Sequence, residues 1–280
     1  MRADGDWFVA GMHATTVPHT GSIMYLVRTP PAPVPAVLVV GACGGSGTTV
    51  TTLGVASALA AALQVVAVDA TVAGGDLAIR GADHRLAASP VQAWLASSAS
   101  TNSAPLTDVL SLASSGARLL WRDPSPLPHR ATSATICDRL VTAGMATVVD
   151  GGSSVAARYL RPLLDQPDTR LVLTIPARHD ATNRLRWTLQ HLDAEFGGEF
   201  IGSSVLVVSH QQPNSPPVAE ALGSLYRDWV RAVCDVPFDP HLADGHVITH
   251  TCLQADTRHA YRDLAAIVLP EIFTTTSGST

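Results

Sequence analysis

From residue 37 onward, short apolar runs alternate with stretches of helical periodicity. The runs VLVV at 37–40, QVVAV at 64–68, ARLLW at 117–121, MATVV at 145–149, LVLTI at 171–175 and SVLVV at 204–208 contain almost no charge, and AVCDV at 232–236 adds a more polar one. Strands this poor in polar residues are buried on both faces, which points to a mostly parallel sheet covered by helices on each side. Between them, Leu185, Leu189, Leu192 and Phe196 repeat at i, i+4, i+7, i+11, as do Val218, Leu222, Leu225 and Trp229. Further helices are predicted over 133–143 and over 256–268, the latter turning Tyr261, Leu264 and Ile267 inward. Residues 70–117 read as loops and short helices rich in alanine and serine. The alternation predicts a three-layer α/β domain spanning 35–270.

Residues 1–34 form an N-terminal extension with candidate strands at 7–9 and 23–27 and a proline-rich linker at 30–35. A packed hairpin or edge strand is favoured there over a partner-binding arm. Residues 271–280 are expected to be a disordered tail.

Composition sharpens this picture. Over 280 residues the chain is 46% hydrophobic and 15% charged, a globular balance that excludes global disorder. A net charge of −5 argues against coating of nucleic acid. All 18 basic residues are arginine, so no lysine of this chain can act on a phosphate. Four widely spaced cysteines with no CxxC pair suit reduced thiols and a cytoplasmic location. The start lacks the features of a signal peptide. The charge-free stretch from Thr29 to Val68 is broken by prolines and glycines, so no transmembrane segment is expected.

The first strand runs into Cys43-Gly44-Gly45-Ser46-Gly47-Thr48-Thr49 and then an alanine-rich helix. Glycines at 44, 45 and 47 let backbone N–H groups approach a phosphate chain, and the following helix adds its N-terminal dipole. A phosphate loop ordinarily ends in G-K-[ST], with lysine on the phosphates and the hydroxyl on Mg²⁺. Here the triplet is Gly47-Thr48-Thr49: the hydroxyl is present as Thr49, and the cation is not.

CGGSGTT at 43–49 resembles the deviant Walker A motif of the ParA/MinD superfamily, KGGxGKT. Asp69 and Asp150 match the acidic strand ends of that family, and residues 74–78, 174–192 and 236–242 are similar to stretches of its CpaE/TadZ branch. The resemblance implies a dimeric P-loop protein that binds ATP and Mg²⁺ through residues 44–49, with Thr49, Asp69 and Asp150 at the metal. It also implies a contact to the base from Ser209 or His210. In the family pattern Cys43 stands at the signature lysine, Thr48 at the phosphate-binding lysine and Thr71 at the water-positioning acid. Losing these charges should remove most hydrolysis.

Three further groups bear on function. His241, His246 and His250 suggest a metal, but no cysteine or carboxylate completes a zinc pattern, so solvated loop histidines are expected. Cys43 reads as a small residue standing where lysine was lost; a thiol activated by the helix N-terminus is the alternative. Arg178, Arg184 and Arg186 are candidates for a partner or DNA contact, against a default of solvated helix faces.

The sequence thus predicts a ParA/MinD-like pseudo-ATPase scaffold, a homodimer engaging a protein partner of a localisation or secretion system, peripheral to membrane only through that partner. A weak ATPase and a structural module that binds no nucleotide are the alternatives; nucleic acid is a less favoured partner.

Overall fold

The computed structural model describes residues 11–15, 23–27, 34–97 and 106–274. The chain divides into two compact units at the Pro33/Val34 junction. In the first, β1 (Gly11–Thr15) pairs antiparallel with β2 (Ile23–Val27), His13 opposite Tyr25. The strand expected at 23–27 is therefore present, paired with 11–15; the one expected at 7–9 lies outside the described residues.

The second unit alternates strand and helix. It begins β3 (Val37–Gly41), α1 (Thr48–Leu59), β4 (Val65–Asp69), α2 (Leu77–Gly81) and α3 (Val91–Ser97). Two short strands, β5 (Leu110–Leu112) and β6 (Arg118–Leu120), precede α4 (Thr132–Thr142), β7 (Ala146–Asp150) and α5 (Arg161–Leu164). Then come β8 (Arg170–Pro176), α6 (His179–Phe196), α7 (Gly198–Ser203), β9 (Val205–Ser209), α8 (Val218–Leu225) and β10 (Ala232–Val236). The chain closes with α9 (Pro240–Ala243), α10 (Ala255–Val268) and α11 (Pro270–Thr274).

The strands form one sheet ordered β10-β9-β8-β3-β7-β4-β6-β5. All neighbours run parallel except β5, which pairs antiparallel with β6 at the edge. Alternate residues of each central strand enter opposite cores, as the period of two requires. Leu38 and Val40 join Leu173, Leu185 and Leu189 on one side, while Val37 and Val39 join Leu59, Tyr261 and Leu264 on the other. The predicted three layers are thereby realised, with apolar strands buried on both faces.

Differences from the expected pattern have local causes. Helix α8 stops at Leu225, so the stripe anticipated through Trp229 breaks. Leu225 is 66% exposed, and Tyr226 and Val230 take the buried places as the chain turns into β10. Strand β5 went unrecognised because it is short and its middle residue is Ser111; that side chain is buried and accepts from the Ala87 N–H at 3.0 Å. At the C-terminus, residues 271–274 of the expected 271–280 tail belong instead to α11, with Ile272 and Phe273 packed on the core beside α10. Residues 275–280 lie outside the described residues.

Helix α1 lies close to α10 because of Gly54. A Cβ there would sit 2.5 Å from ring atoms of Tyr261, which is 2% exposed. Gly54→Val is expected to overpack this contact, costing about 2 kcal/mol and lowering the thermal midpoint by roughly 4–8 °C. Calorimetric melting measures this directly; an unchanged midpoint would contradict the contact.

Candidate functional site

The C-terminal ends of β3, β4 and β7 meet at one edge of the sheet, where open α/β sheets place ligands. Register sets Asp69 opposite Asp150. Between them and α1 runs the loop 42–47. Gly47 has φ of +81° and precedes the helix with no side-chain cap and no acid in the first turn. A Cβ at Gly47 would lie 2.9 Å from the Ser209 hydroxyl, so only glycine suits both its conformation and its space. The first amides of α1 are thus left for a ligand, together with the positive end of the helix dipole.

The two positions where the sequence departs most from a lysine-bearing loop have distinct fates. Thr48 turns beneath the loop, 8% exposed. Its hydroxyl lies 3.1 Å from Ser46 Oγ and 3.1 Å from Thr174 Oγ1, with Ser46 and Thr174 3.0 Å apart. Three buried hydroxyls thereby satisfy one another. Cys43 sits beside the loop in a hollow it shares with Arg178 and Arg184. Burial pushes its thiol up from the ordinary value, outweighing the lowering pull of those two arginines. The activated-thiol alternative is not supported.

Thr49 donates its hydroxyl to Asp150 Oδ2 at 2.6 Å, and the Gly152 N–H donates to Oδ1 at 3.0 Å. Asp150 is fully buried, and burial pushes its carboxyl up to about 6 against the lowering effect of these two donors. Asp69, 2% exposed, accepts from Thr71 N–H at 3.0 Å and Thr71 Oγ1 at 2.6 Å through one oxygen, and from Gly75 N–H at 2.7 Å through the other. Thr71, standing where a water-positioning acid was expected, thus braces the first acid of the strand end. Hydroxyl and carboxylate oxygens suit a hard divalent cation, so Thr49 and Asp150 fit Mg²⁺, while both Asp69 oxygens are engaged by its own turn.

Above these groups opens a cleft of about 780 Å³, lined by residues 44–50, parts of 71–80 and 152–159, 209–211 and parts of 236–243. Its size suits a nucleotide-sized ligand. Of the expected base contacts, Ser209 abuts Gly47 under the loop. His210 lines the cleft and bonds Asp235 Oδ1 through Nε2 at 2.7 Å. Gln211, which sequence reasoning passed over, donates its amide to the Gly45 carbonyl and ties down the loop tip. Asp239 was likewise missed. It accepts from the His241 and Gln254 N–H groups at 2.9 and 2.8 Å and organises the far wall.

The arginines and histidines do not assemble as single sites. Arg178 and Arg184 share the Cys43 hollow, where Arg178 is paired with Asp180 at 3.1 Å, and Arg186 does not line it. His241 accepts from the Thr249 N–H at 3.0 Å, a backbone role, and no metal-competent cluster occurs among the described residues. Nor is any helix of the described residues long and apolar enough to cross a membrane.

No protein-family model matches the sequence, and no curated protein matches it. Solved structures do match. The fold is that of the ParA/MinD ATPases. A ParA family ATPase from Chlorobium tepidum TLS superposes with a TM-score of 0.64 at 17% identity, over 84% of this chain and 98% of that one. The cell division ATPase MinD of Pyrococcus furiosus follows at 0.61 and 17%, over 87% and 99%. Cobyrinic acid a,c-diamide synthase from Mycobacterium smegmatis, solved with an ATP analogue and magnesium, gives 0.55 and 13%, over 88% and 97%. At such identities the likeness is one of fold.

Proposed function

We propose that this protein binds a nucleoside triphosphate with Mg²⁺ in the cleft over residues 44–49 and turns it over feebly or not at all. It then serves as a dimeric scaffold for a protein partner. The observation that carries this reading is a phosphate loop kept in backbone but stripped of its cations. Gly47 holds the left-handed turn and the first amides of α1 are uncapped, while Thr48 is folded under the loop. The open cleft of about 780 Å³ favours binding over a module whose loop holds nothing. Thr49 and Asp150 would hold the metal, which supplies charge neutralisation at the phosphates.

The stretches at 174–192 and 236–242, which resemble the CpaE/TadZ branch, support a partner in localisation or pilus assembly. The exposed Arg178, Arg184 and Arg186 around the start of α6, of which Arg178 is already paired with Asp180, give less support to DNA. Titration calorimetry with ATP–Mg²⁺ tests the binding step. Wild-type protein is expected to bind, and Thr49→Ala to weaken binding about tenfold in Mg²⁺ and little in EDTA, as loss of a metal-directed hydroxyl requires. No heat and no protection from unfolding at millimolar ATP would sink the nucleotide reading.

A further inference from the structure

We propose that Arg80 is the cation this cleft presents to the anionic part of its ligand, filling from α2 the charge role that Thr48 does not fill. The inference deepens the nucleotide reading and rests on it. The chain has no lysine, and among the described residues lining the cleft Arg80 is the sole arginine. Its surroundings leave its charge open. The guanidinium donates once, from a terminal nitrogen to the Leu242 carbonyl at 3.1 Å, while Nε is buried with no partner. No carboxylate lies within ion-pair distance of it among the described residues. A partly buried guanidinium loses hydration that one carbonyl does not replace, so it favours an anion.

Its position is braced rather than incidental. The turn leading into α2 is held by both oxygens of Asp69 and by Arg122, which is 5% exposed and donates to the Thr71 carbonyl at 2.7 Å. On α2 itself Leu77, Ala78 and Gly81 are buried, and the Arg80 carbonyl accepts from the Ile248 N–H at 2.6 Å. An arginine held in this way on a rigid element gives charge without reorganisation, and its planar donor fork suits phosphate oxygens.

The test compares wild type, Arg80→Gln and Arg80→Lys for binding of ATP–Mg²⁺ by calorimetry and of adenosine by ligand-observed NMR. Arg80→Gln keeps a donor for Leu242 and removes the charge. It is expected to weaken ATP about tenfold or more and to leave adenosine unchanged, while Arg80→Lys recovers most of the loss. Equal ATP affinity in wild type and Arg80→Gln overturns the assignment while leaving nucleotide binding intact. Equal loss of ATP and adenosine overturns it in favour of a structural role. Wild-type protein that binds no ATP overturns the nucleotide reading and this assignment together.

Discussion

Phosphate release from ATP–Mg²⁺ is expected to run no faster in the wild-type protein than in its Thr49→Ala variant. Phosphoryl transfer depends on positioned charge rather than covalent chemistry. Here the Thr48 hydroxyl is committed to Ser46 and Thr174, and Thr71 to Asp69. Cys43 lies in the hollow beside Arg178 and Arg184, not as a cation over the phosphates. One preorganised donor to a developing charge is worth about 3–4 kcal/mol, so losing several places turnover many orders of magnitude below that of a competent ATPase. The one cation assigned to the cleft, Arg80, bears on affinity for the anionic ligand; it replaces neither a second lysine at position 43 nor an acid at position 71. A coupled phosphate-release assay with both proteins decides the matter. Robust wild-type turnover that disappears in Thr49→Ala would overturn the pseudo-ATPase reading.

The second large effect is a pH dependence centred on Asp150. Its carboxyl is pushed from 3.8 in the unfolded chain to about 6 in the fold, chiefly by burial. The folded state therefore binds the proton more tightly. Stability of the metal-free protein is expected to fall as pH rises from about 4 to about 6 and to level off above that. The interval corresponds to about 3 kcal/mol, the cost of ionising a buried carboxyl that has only two donors. Asp150→Asn should remove most of this slope. Urea titrations in EDTA at several pH values across the interval measure it; a wild-type stability that climbs through the interval relative to Asp150→Asn would contradict the burial argument.

Much of this architecture was readable before the structure because the strands are apolar on both faces and three of them end at chemistry. VLVV runs into the glycine loop, and the runs at 64–68 and 145–149 end on Asp69 and Asp150. Where the pattern misled, a tertiary event had intervened. Helix α8 ends early because the chain must turn into β10, which leaves Leu225 on the surface. Ser111 hides a strand because its hydroxyl is satisfied by Ala87 across the fold. The site divides in the same way. Thr49 and Asp150 announce themselves by motif, whereas Gln211 and Arg80 act through contacts with Gly45 and Leu242, both more than a hundred residues away. Arg80 follows the family-like stretch at 74–78, but nothing in that likeness assigned a role to an arginine there.

The buried hydroxyls beneath the loop also constrain what this chain can become. Lysine at position 48 would withdraw one corner of the Ser46–Thr48–Thr174 arrangement, leaving the other two residues a single bond between them and a gap where the threonine stood. Weakened buried hydrogen bonding costs about 1–3 kcal/mol. Thr71 would still lack its acid. On the pseudo-ATPase reading, a lysine at this position is thus expected to lower stability without by itself supplying a complete set of charges. The packing beneath the loop sets a toll on any gain of chemistry above it.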